Sequence, residues 1–505
     1  MILSLGWILF AFAIYFAVMI LVGVFSMKQN NSSEEFFLGG RSLGGFVAAL
    51  SAQASDMSGW LLMGLPGSIY AFGTGQIWIA VGLFIGTVLN WVFISSRLRR
   101  YTIVADNAVT LPAFFENRYH DKKRILLLVS SFAILIFFLV YTASALASGG
   151  QLFSTVFGID YHLALAISAI IILTYTLLGG FTAVCETDFI QGTVMLVALI
   201  VVPIIAIVAL GGDISSQTNV TENFLSPFYS DGEKVGFISI ISQLGWGLGY
   251  CGMPHILIRF MAVKSDKELN KAKVIGIIWV AMSLLAACLI GIIGRAYLAD
   301  NLVETGEQER VFMYMIMHVF SDTVNLPFFG GIFLCGILAA IMSTADSQLL
   351  VTASSVTEDI YKGFMGKKPS GEKAVWISRV VVLVVAILAF CIAYDPNSSI
   401  MGLVSDAWAG LGSAFGPIVL MSLYWRRTNT KGAIAGIAVG AITVLVWDYL
   451  PLAAGSTLYE ATGLYSLILG FALSMISIIV VSLLTEEPEQ AILDEFDQVK
   501  MSKNI

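Results

Sequence analysis

Apolar runs about twenty residues long recur along the whole chain, from LGWILFAFAIYFAVMILVGVF at 5–25 to a last run ending near Leu484. Hydrocarbon roughly 30 Å thick takes about twenty helical residues to cross, and backbone inside it must satisfy its own hydrogen bonds. The chain is therefore predicted to be an all-α polytopic membrane protein. Its composition agrees: 12% of residues are charged and 58% hydrophobic, where soluble domains carry about 25% charged residues. The first run lacks the basic flank and small-residue cleavage site of a leader, so it counts as a spanning helix.

Length and apolarity predict about thirteen spans, near 5–26, 45–73, 76–97, 125–155, 162–181, 187–211, 235–261, 273–296, 327–360, 374–394, 399–425, 431–450 and 461–484. The loop charges give an orientation. Lys28 and Arg41, the cluster from Arg97 to Arg124, and Arg259 to Lys273 fall on one side. So do Lys362 to Lys373, Arg426, Arg427 and Lys431, and finally Lys500 and Lys503. Lys234, Arg295 and Arg310 fall on the other. Cytoplasmic loops collect the cations, which predicts N-out/C-in. Much of the net charge of −7 sits in TEEPEQAILDEFD (485–497), expected to be a solvated acidic stretch within a cytoplasmic tail at 485–505. Loops 98–124, 212–234 and 297–326 are too short for a folded soluble core, so one transmembrane domain is expected. The five cysteines are scattered singly and read as small thiols rather than metal ligands. The expected partners are the lipid bilayer and small molecules, with no nucleic acid, no cofactor and no obligate protein partner.

Within this oily chain, SAQASDMSGW (51–60) carries a carboxylate, Asp56, flanked by Ser51, Ser55 and Ser58. An acid at membrane depth costs several kcal/mol unless it is paired, hydrated or bound to a cation, and so marks function. The alternative is a structural carboxylate capping a half-helix. Gly59, Gly64, Pro66 and Gly67 interrupt the same run. They free carbonyls and N–H groups, which hydrocarbon tolerates only around a cavity. Freed carbonyls and hydroxyls suit an alkali cation, and half-helix N–H groups suit an anionic solute group.

SQLGWGLGYCGMP (242–254) is broken in the same manner by Gly245, Gly247, Gly249, Gly252 and Pro254. Four spans separate the two breaks, so they hold the same position in two successive groups of five. Paired broken helices of this kind point to a transporter site between repeats. Trp246 and Tyr250, four apart on one predicted helical face, with Trp60 and Tyr141, offer aromatic surface to a small amphoteric molecule. Core or lipid-facing aromatics are the competing reading. In GILAAIMSTADSQLL (336–350), Ser343, Thr344, Asp346 and Ser347 interrupt a third span, and a carbonyl from Ala340 shares a face with the Thr344 hydroxyl. Hydroxyls bonded back to their own helix are the plain alternative. Asp188, at the start of the span predicted from 187, is either a helix-start acid or part of an ion path.

Two motifs mislead. GLGYCG (247–252) matches a dinucleotide fingerprint but follows no strand, and GKKPSGEK (366–373) lacks the Lys-Ser/Thr of a phosphate loop. No reactive constellation supports an enzyme, and His120 and His162 do not read as ligands. A channel or sensor would need a continuous pore or an appended domain.

LGGRSLGGFVAALSAQASDMSGWLLMGLPG (38–67), NAVTLPAFFENRY (107–119), LLGGFTAVCETDFIQ (177–191), GWGLGYCGMPHILIRFMA (245–262), ILAAIMST (337–344) and GLVSDAWAGLGSAFGP (402–417) together resemble the sodium/solute symporter family, especially its proline-importing bacterial members. The resemblance covers nearly the whole chain except the tail. It implies a leucine-transporter-type core of two inverted five-helix repeats, 45–211 and 235–425, with an extra helix at 5–26 and two more at 431–484. It implies sodium-coupled import of L-proline across a bacterial cell membrane, sodium serving as coupling ion. The sodium site would be built from carbonyls of Ala54, Met57 and Ala340 and hydroxyls of Ser343 and Thr344, with Asp56 required for coupling and Asp188 linked to cation handling. The proline pocket would comprise Ser58, Gly59, Trp60, Tyr141, Trp246 and Tyr250, with Pro254 shaping the break and Arg41 affecting coupling. Two acids depart from the family pattern: Asp346 stands where serine is usual and Asp406 where tyrosine is. Asp346 would either create or alter a second cation site or face a cytoplasmic vestibule. A same-family symporter for another small amino acid or organic acid is the alternative, separated only by the pocket residues.

Overall fold

The computed structural model describes residues 2–26, 37–178, 180–214, 222–298, 302–367, 371–452 and 455–501. Lys28 and Lys503, two cations used to orient the chain, lie outside the described residues. Helices occupy the predicted apolar runs. The first, α1 (Ile2–Ser26), is followed by α2 (Gly45–Asp56) and α3 (Leu65–Phe72), two halves of one run with a wide turn at Trp60–Gly64 between them. Next come α4 (Ile77–Leu89), α5 (Ser95–Val104), the short α6 (Leu111–Arg118), α7 (Ile125–Phe157), α8 (Tyr161–Leu178) and α9 (Phe181–Ala209).

A two-stranded hairpin, β1 (Tyr229–Ser230) and β2 (Glu233–Lys234), then leads to a second divided run. Its halves, α10 (Phe237–Gly245) and α11 (Pro254–Met261), flank a tight 3-10 segment at Trp246–Gly252. There follow α12 (Asp266–Tyr297), α13 (Val311–Met317), α14 (Pro327–Ser354), α15 (Gly371–Ile392) and α16 (Ile400–Tyr424). The chain closes with α17 (Thr430–Tyr449), α18 (Leu458–Thr462), α19 (Ser466–Leu484) and α20 (Gln490–Met501). By length and composition, 10 helices among the described residues are long and apolar enough to cross a membrane, and Trp60–Phe72 and Tyr161–Thr174 are shorter apolar helices.

The packing exchanges elements between the two groups. The first half-helix, α2, packs on α12, the second long helix of the later group, while α4 packs on the Trp246–Gly252 segment of that group's broken run. In the same crosswise way α7 packs on α16, and α9 on α14. Both breaks are thereby sunk in the middle of the bundle, where Trp60, Tyr141, Tyr250 and Trp408 are almost wholly buried. Lipid-facing helices differ sharply: α15 and α1 leave Trp376, Ile387, Trp7 and Phe10 exposed. Bilayer lipid is the natural solvent for such faces, since lipid tails are as apolar as the side chains.

The acidic tail differs from expectation. Instead of a solvated stretch, α20 buries Ile492, Phe496 and Val499 on one face and packs on α5. Apolar residues at spacings of three and four make that stripe. Acids in and just before α20 meet cations: Asp497 pairs with Arg426 at 3.0 Å, Glu495 contacts His120 at 3.0 Å, and Glu489, one residue before the helix, reaches Lys122 at 3.3 Å. Charge composition concealed an amphipathic period.

Candidate functional site

The break after α2 begins with a diverted hydrogen bond. A continuous helix would join the Ser58 N–H to the Ala54 carbonyl. Here Ser58 N–H donates to the Asp56 carbonyl at 3.0 Å, and Met57 leaves the helical region at φ −82°, ψ 76°. The freed Ala54 carbonyl turns to α14, accepting the Ser343 hydroxyl at 2.8 Å and the Thr344 hydroxyl at 3.4 Å. Ser343 also donates to the Ala340 carbonyl at 3.2 Å. Ala54, Ala340, Ser343 and Thr344 are therefore gathered into one knot of oxygens, all fully buried. Such hard, uncharged oxygens are the donor type that alkali and other hard cations favour. Met57 lies buried at the same break.

Gly59 is required by close approach, because a Cβ there would lie 2.3 Å from the Ser148 hydroxyl of α7. The next residue folds back on the break: Trp60 Nε1–H donates to the Asp56 carbonyl at 3.0 Å. The Asp56 carboxylate reaches the other broken run, where Tyr250 donates its hydroxyl to Oδ2 at 2.7 Å. Asp56 Oδ1 has no hydrogen-bond partner among the described residues, and neither has the Tyr141 hydroxyl. Tyr250 in turn meets Trp408 edge-on at 5.1 Å, and the Trp408 indole N–H donates to the Trp246 carbonyl at 2.8 Å. Gly249 makes room for that indole, for a Cβ would come within 2.0 Å of Trp408 Nε1.

Trp246 and Tyr250 do not share a face as predicted. They lie on a 3-10 segment, where four residues turn the helix through about 480° and leave the side chains roughly 120° apart. Tyr250 joins Asp56, whereas Trp246 stacks on Tyr465 of the α18–α19 connection at 5.3 Å. Pro254 opens α11, where its missing N–H costs nothing, after Met253 has left the helical region.

One helical turn from the oxygen knot lies a charged one. Arg259 Nη2 is 3.2 Å from Asp188 Oδ2 and donates to the Ser347 hydroxyl at 2.6 Å. Its Nε–H donates to Ser51 at 3.1 Å, and Ser51 donates to Asp188 Oδ2 at 2.7 Å. Ser347 also contacts Asp346 Oδ1 at 3.4 Å. Asp188 Oδ1 and Asp346 Oδ2 have no hydrogen-bond partner among the described residues. Two acids and one guanidinium, all buried, thus share the space between α2, α9, α11 and α14.

This arrangement corrects two readings. Asp188 does not begin a helix, since α9 starts at Phe181 and carries Asp188 two turns inside, fully buried. Arg259 is not a loop cation, being 1% exposed within α11. The physical reason is the same: each ion has its opposite partner inside the bundle, which lets both lie deeper than a solitary charge would. Asp346 faces this charged knot and is 0% exposed. Sequence reasoning missed Arg259, although the rule that flagged Asp56 applies equally to an arginine within an apolar run. It also missed His255, fully buried with both ring nitrogens unpartnered among the described residues and its ring edge-on to Tyr141 at 6.0 Å.

Arg41 stands apart, at one end of the bundle. It adopts φ +51°, and its guanidinium donates to the Met261 carbonyl at 2.6 Å, Asn107 Oδ1 at 2.7 Å and the Ala108 carbonyl at 2.9 Å. It thereby ties the lead-in of α2 to the end of α11 and to the α5–α6 connection. Near the start of α12, Glu268 receives the backbone N–H of Gly45 at 2.8 Å and pairs with Lys271 at 2.6 Å.

Comparison with known proteins places this geometry among solute carriers. Residues 36–440 match the model of the sodium:solute symporter family. The osmoregulated proline transporter OpuE of Bacillus subtilis (strain 168) is 46% identical over 485 residues, covering 96% of each chain. A sodium/proline symporter of Staphylococcus aureus (strain USA300 / TCH1516) is 44% identical over 499 residues, covering 97% of this chain and 94% of its own. Among solved structures, a sodium-coupled sialic acid symporter in a substrate-bound outward-open state superposes with a TM-score of 0.77 at 19% identity, covering 96% of this chain and 99% of its own. A nucleobase-cation-symport-1 family transporter in a closed conformation gives 0.53 at 17% identity, covering 92% and 99%.

Proposed function

The chain belongs to the sodium:solute symporter family, and from that premise we propose that it imports L-proline by coupling it to inward sodium flow. The relatives bear proline in their names, and this chain matches them over nearly its whole length. The observation that carries the reading is the adjacency of an oxygen knot and a buried cluster of aromatic rings and an acid along Ala54–Trp60. The Ala54 carbonyl meets the Ser343 hydroxyl at 2.8 Å, and two residues later the Asp56 carboxylate accepts Tyr250 at 2.7 Å.

Under this reading sodium takes the carbonyls of Ala54, Met57 and Ala340 and the hydroxyls of Ser343 and Thr344. It replaces hydroxyl donation to carbonyls with a cation shared among them, fastening α2 to α14. Ser58, Gly59, Trp60, Tyr141 and Tyr250 surround proline, whose carboxylate suits the positive end of the helix that opens at the wide turn. Trp246 closes the pocket on its side. Asp56 belongs to both sites and transmits the state of one to the other through Tyr250. Asp188, Asp346 and Arg259 set the charge one turn away, and Asp346 adds a second point of cation handling. Coupling follows if sodium favours the conformation that binds proline, which is a difference of affinities between two states.

The proposed architecture is thirteen spans, N-out/C-in. Its core is two inverted repeats of five, which the crosswise packing of α2 on α12 and α4 on the Trp246–Gly252 segment supports. Arg41 and Pro254 serve as fixed points about which the half-helices move.

Equilibrium binding of labelled L-proline to the purified protein, in sodium and in potassium, tests this. By linkage, a coupling of about 1–3 kcal/mol corresponds to roughly 5- to 150-fold tighter binding in sodium. Ser343→Ala should remove most of that difference while leaving the potassium value near wild type. Equal affinity in both salts defeats the coupling, and displacement by other amino acids in preference to proline reassigns the solute.

A further inference from the structure

A groove of about 920 Å³ lies between the start of α1, the end of α7 and the turn that joins α13 to α14. Three helix ends meet there: Trp7 stands in the second turn of α1, Phe157 closes α7 and Pro327 opens α14. Trp7 is half exposed, and its ring meets Phe10 and Phe328 edge-on at 6.1 and 6.3 Å. Tryptophan gathers where hydrocarbon meets headgroups, which sets the groove at that depth.

The lining changes character from inside to outside. Ile8 and Val156 are buried and Phe157 and Met317 half-buried, giving an apolar interior. His318, Asp322 and Asn325 are exposed at the mouth, where His318 Nδ1 stands 2.9 Å from Asp322 Oδ2. Thr155 supplies an independent sign of a ligand. A threonine or serine hydroxyl inside a helix usually donates back to its own turn, as Ser148 of α7 does to the Ser144 carbonyl at 2.8 Å. The Thr155 hydroxyl lines the groove, is buried, and has no hydrogen-bond partner among the described residues. Such a donor carries a desolvation cost that an acceptor on a ligand would relieve.

We propose that this groove is a binding site for a glycerophospholipid whose headgroup ends in a free ammonium, such as an ethanolamine lipid. Acyl carbons fill the apolar interior, an ester carbonyl accepts the Thr155 hydroxyl, and the ammonium meets Asp322. The faces of Trp7 and Tyr314, both in the lining, add attraction for a cation. Charge selects the headgroup. Among the described residues no lysine or arginine lines the groove, so an anionic lipid would bring its charge to Asp322 with no basic group to receive it. The volume stands at the upper end for small-molecule sites and exceeds what a bare ion needs. Occupancy also has a consequence for the centre of the bundle. Pro327 opens the helix that carries Ala340, Ser343 and Thr344, so a lipid seated here steadies the start of α14.

Headgroup selectivity at fixed acyl chains tests the site. Purified full-length protein, stripped of lipid in detergent, is titrated with palmitoyl-oleoyl phosphatidylethanolamine or phosphatidylglycerol, and bound adducts are measured by native mass spectrometry. Wild type should hold the ethanolamine lipid about tenfold more tightly than the glycerol lipid. Asp322→Asn should erase that preference, whereas Asp322→Glu, which keeps the charge, should retain it. Thr155→Val should weaken both lipids alike, by about fivefold. In thermal melts the ethanolamine lipid should raise the melting temperature of wild type but not of Asp322→Asn. Equal affinity of wild type for both headgroups means ordinary solvation by lipid and overturns the proposal, as does an undiminished preference in Asp322→Asn. A protein dimer that forms in place of lipid adducts and is lost in Trp7→Ala assigns the groove to a second copy of the chain and overturns it as well. Neither proline nor sodium enters these measurements, so their outcome is separate from that of the proposed function.

Discussion

A buried carboxylate must be answered by a donor, and Asp56 is answered by Tyr250 from a helix 194 positions away in the chain. Tyr250→Phe keeps the ring and its contact with Trp408 but removes the hydroxyl. An unanswered acceptor costs about 1–3 kcal/mol, so proline binding in sodium should weaken roughly tenfold, read by equilibrium dialysis; wild-type affinity would dissociate Tyr250 from coupling. Arg259 makes a different prediction. Arg259→Met strands Asp188 and should destabilise the protein by about 3–5 kcal/mol, whereas pairing it with Asp188→Leu should recover most of that loss without recovering transport. Thermal melts in detergent and uptake assays separate the two effects. At this scale the sequence exposed the acids, because hydrocarbon makes any ionisable residue conspicuous. It hid their partners, since nothing local in PHILIRFM says that Arg259 meets Asp188 and Ser347.

Elements carry the breaks. Both divided runs were legible from their glycines and prolines, but the conformation inside them was not. Within the tightly wound Trp246–Gly252 segment, Trp408 fills the space beside Gly249, a contact between residues 159 apart that no window of sequence contains. Gly249→Ala forces a Cβ to within 2.0 Å of that indole, and overpacking of this kind costs about 1–3 kcal/mol. A lowered melting temperature is expected; a neutral result would mean that Trp408 moves freely. The tail was misread because its charge was weighed before its period. If α20 is held by its apolar stripe, Phe496→Ala should expose 490–501 to protease. Lys122→Ala, which removes a pair whose partners are 80% and 62% exposed, should leave it protected.

For the whole molecule, the order of the long apolar helices followed from the apolar runs, because the bilayer thickness sets their length, whereas helices at Leu111–Arg118 and Val311–Met317 lie in stretches expected to be loops. How the two groups of five interpenetrate did not follow from length or hydropathy; the resemblance to a family supplied that expectation. The crosswise packing gives the breaks their common address, and in the proposed reading sodium and proline would share the seven residues from Ala54 to Trp60. The most direct test is uptake of labelled L-proline into proteoliposomes with and without an inward sodium gradient, for wild type and Asp56→Asn. The account predicts concentrative uptake that collapses without the gradient and is lost in the variant. Uptake indifferent to sodium, or a fully active Asp56→Asn protein, would contradict it.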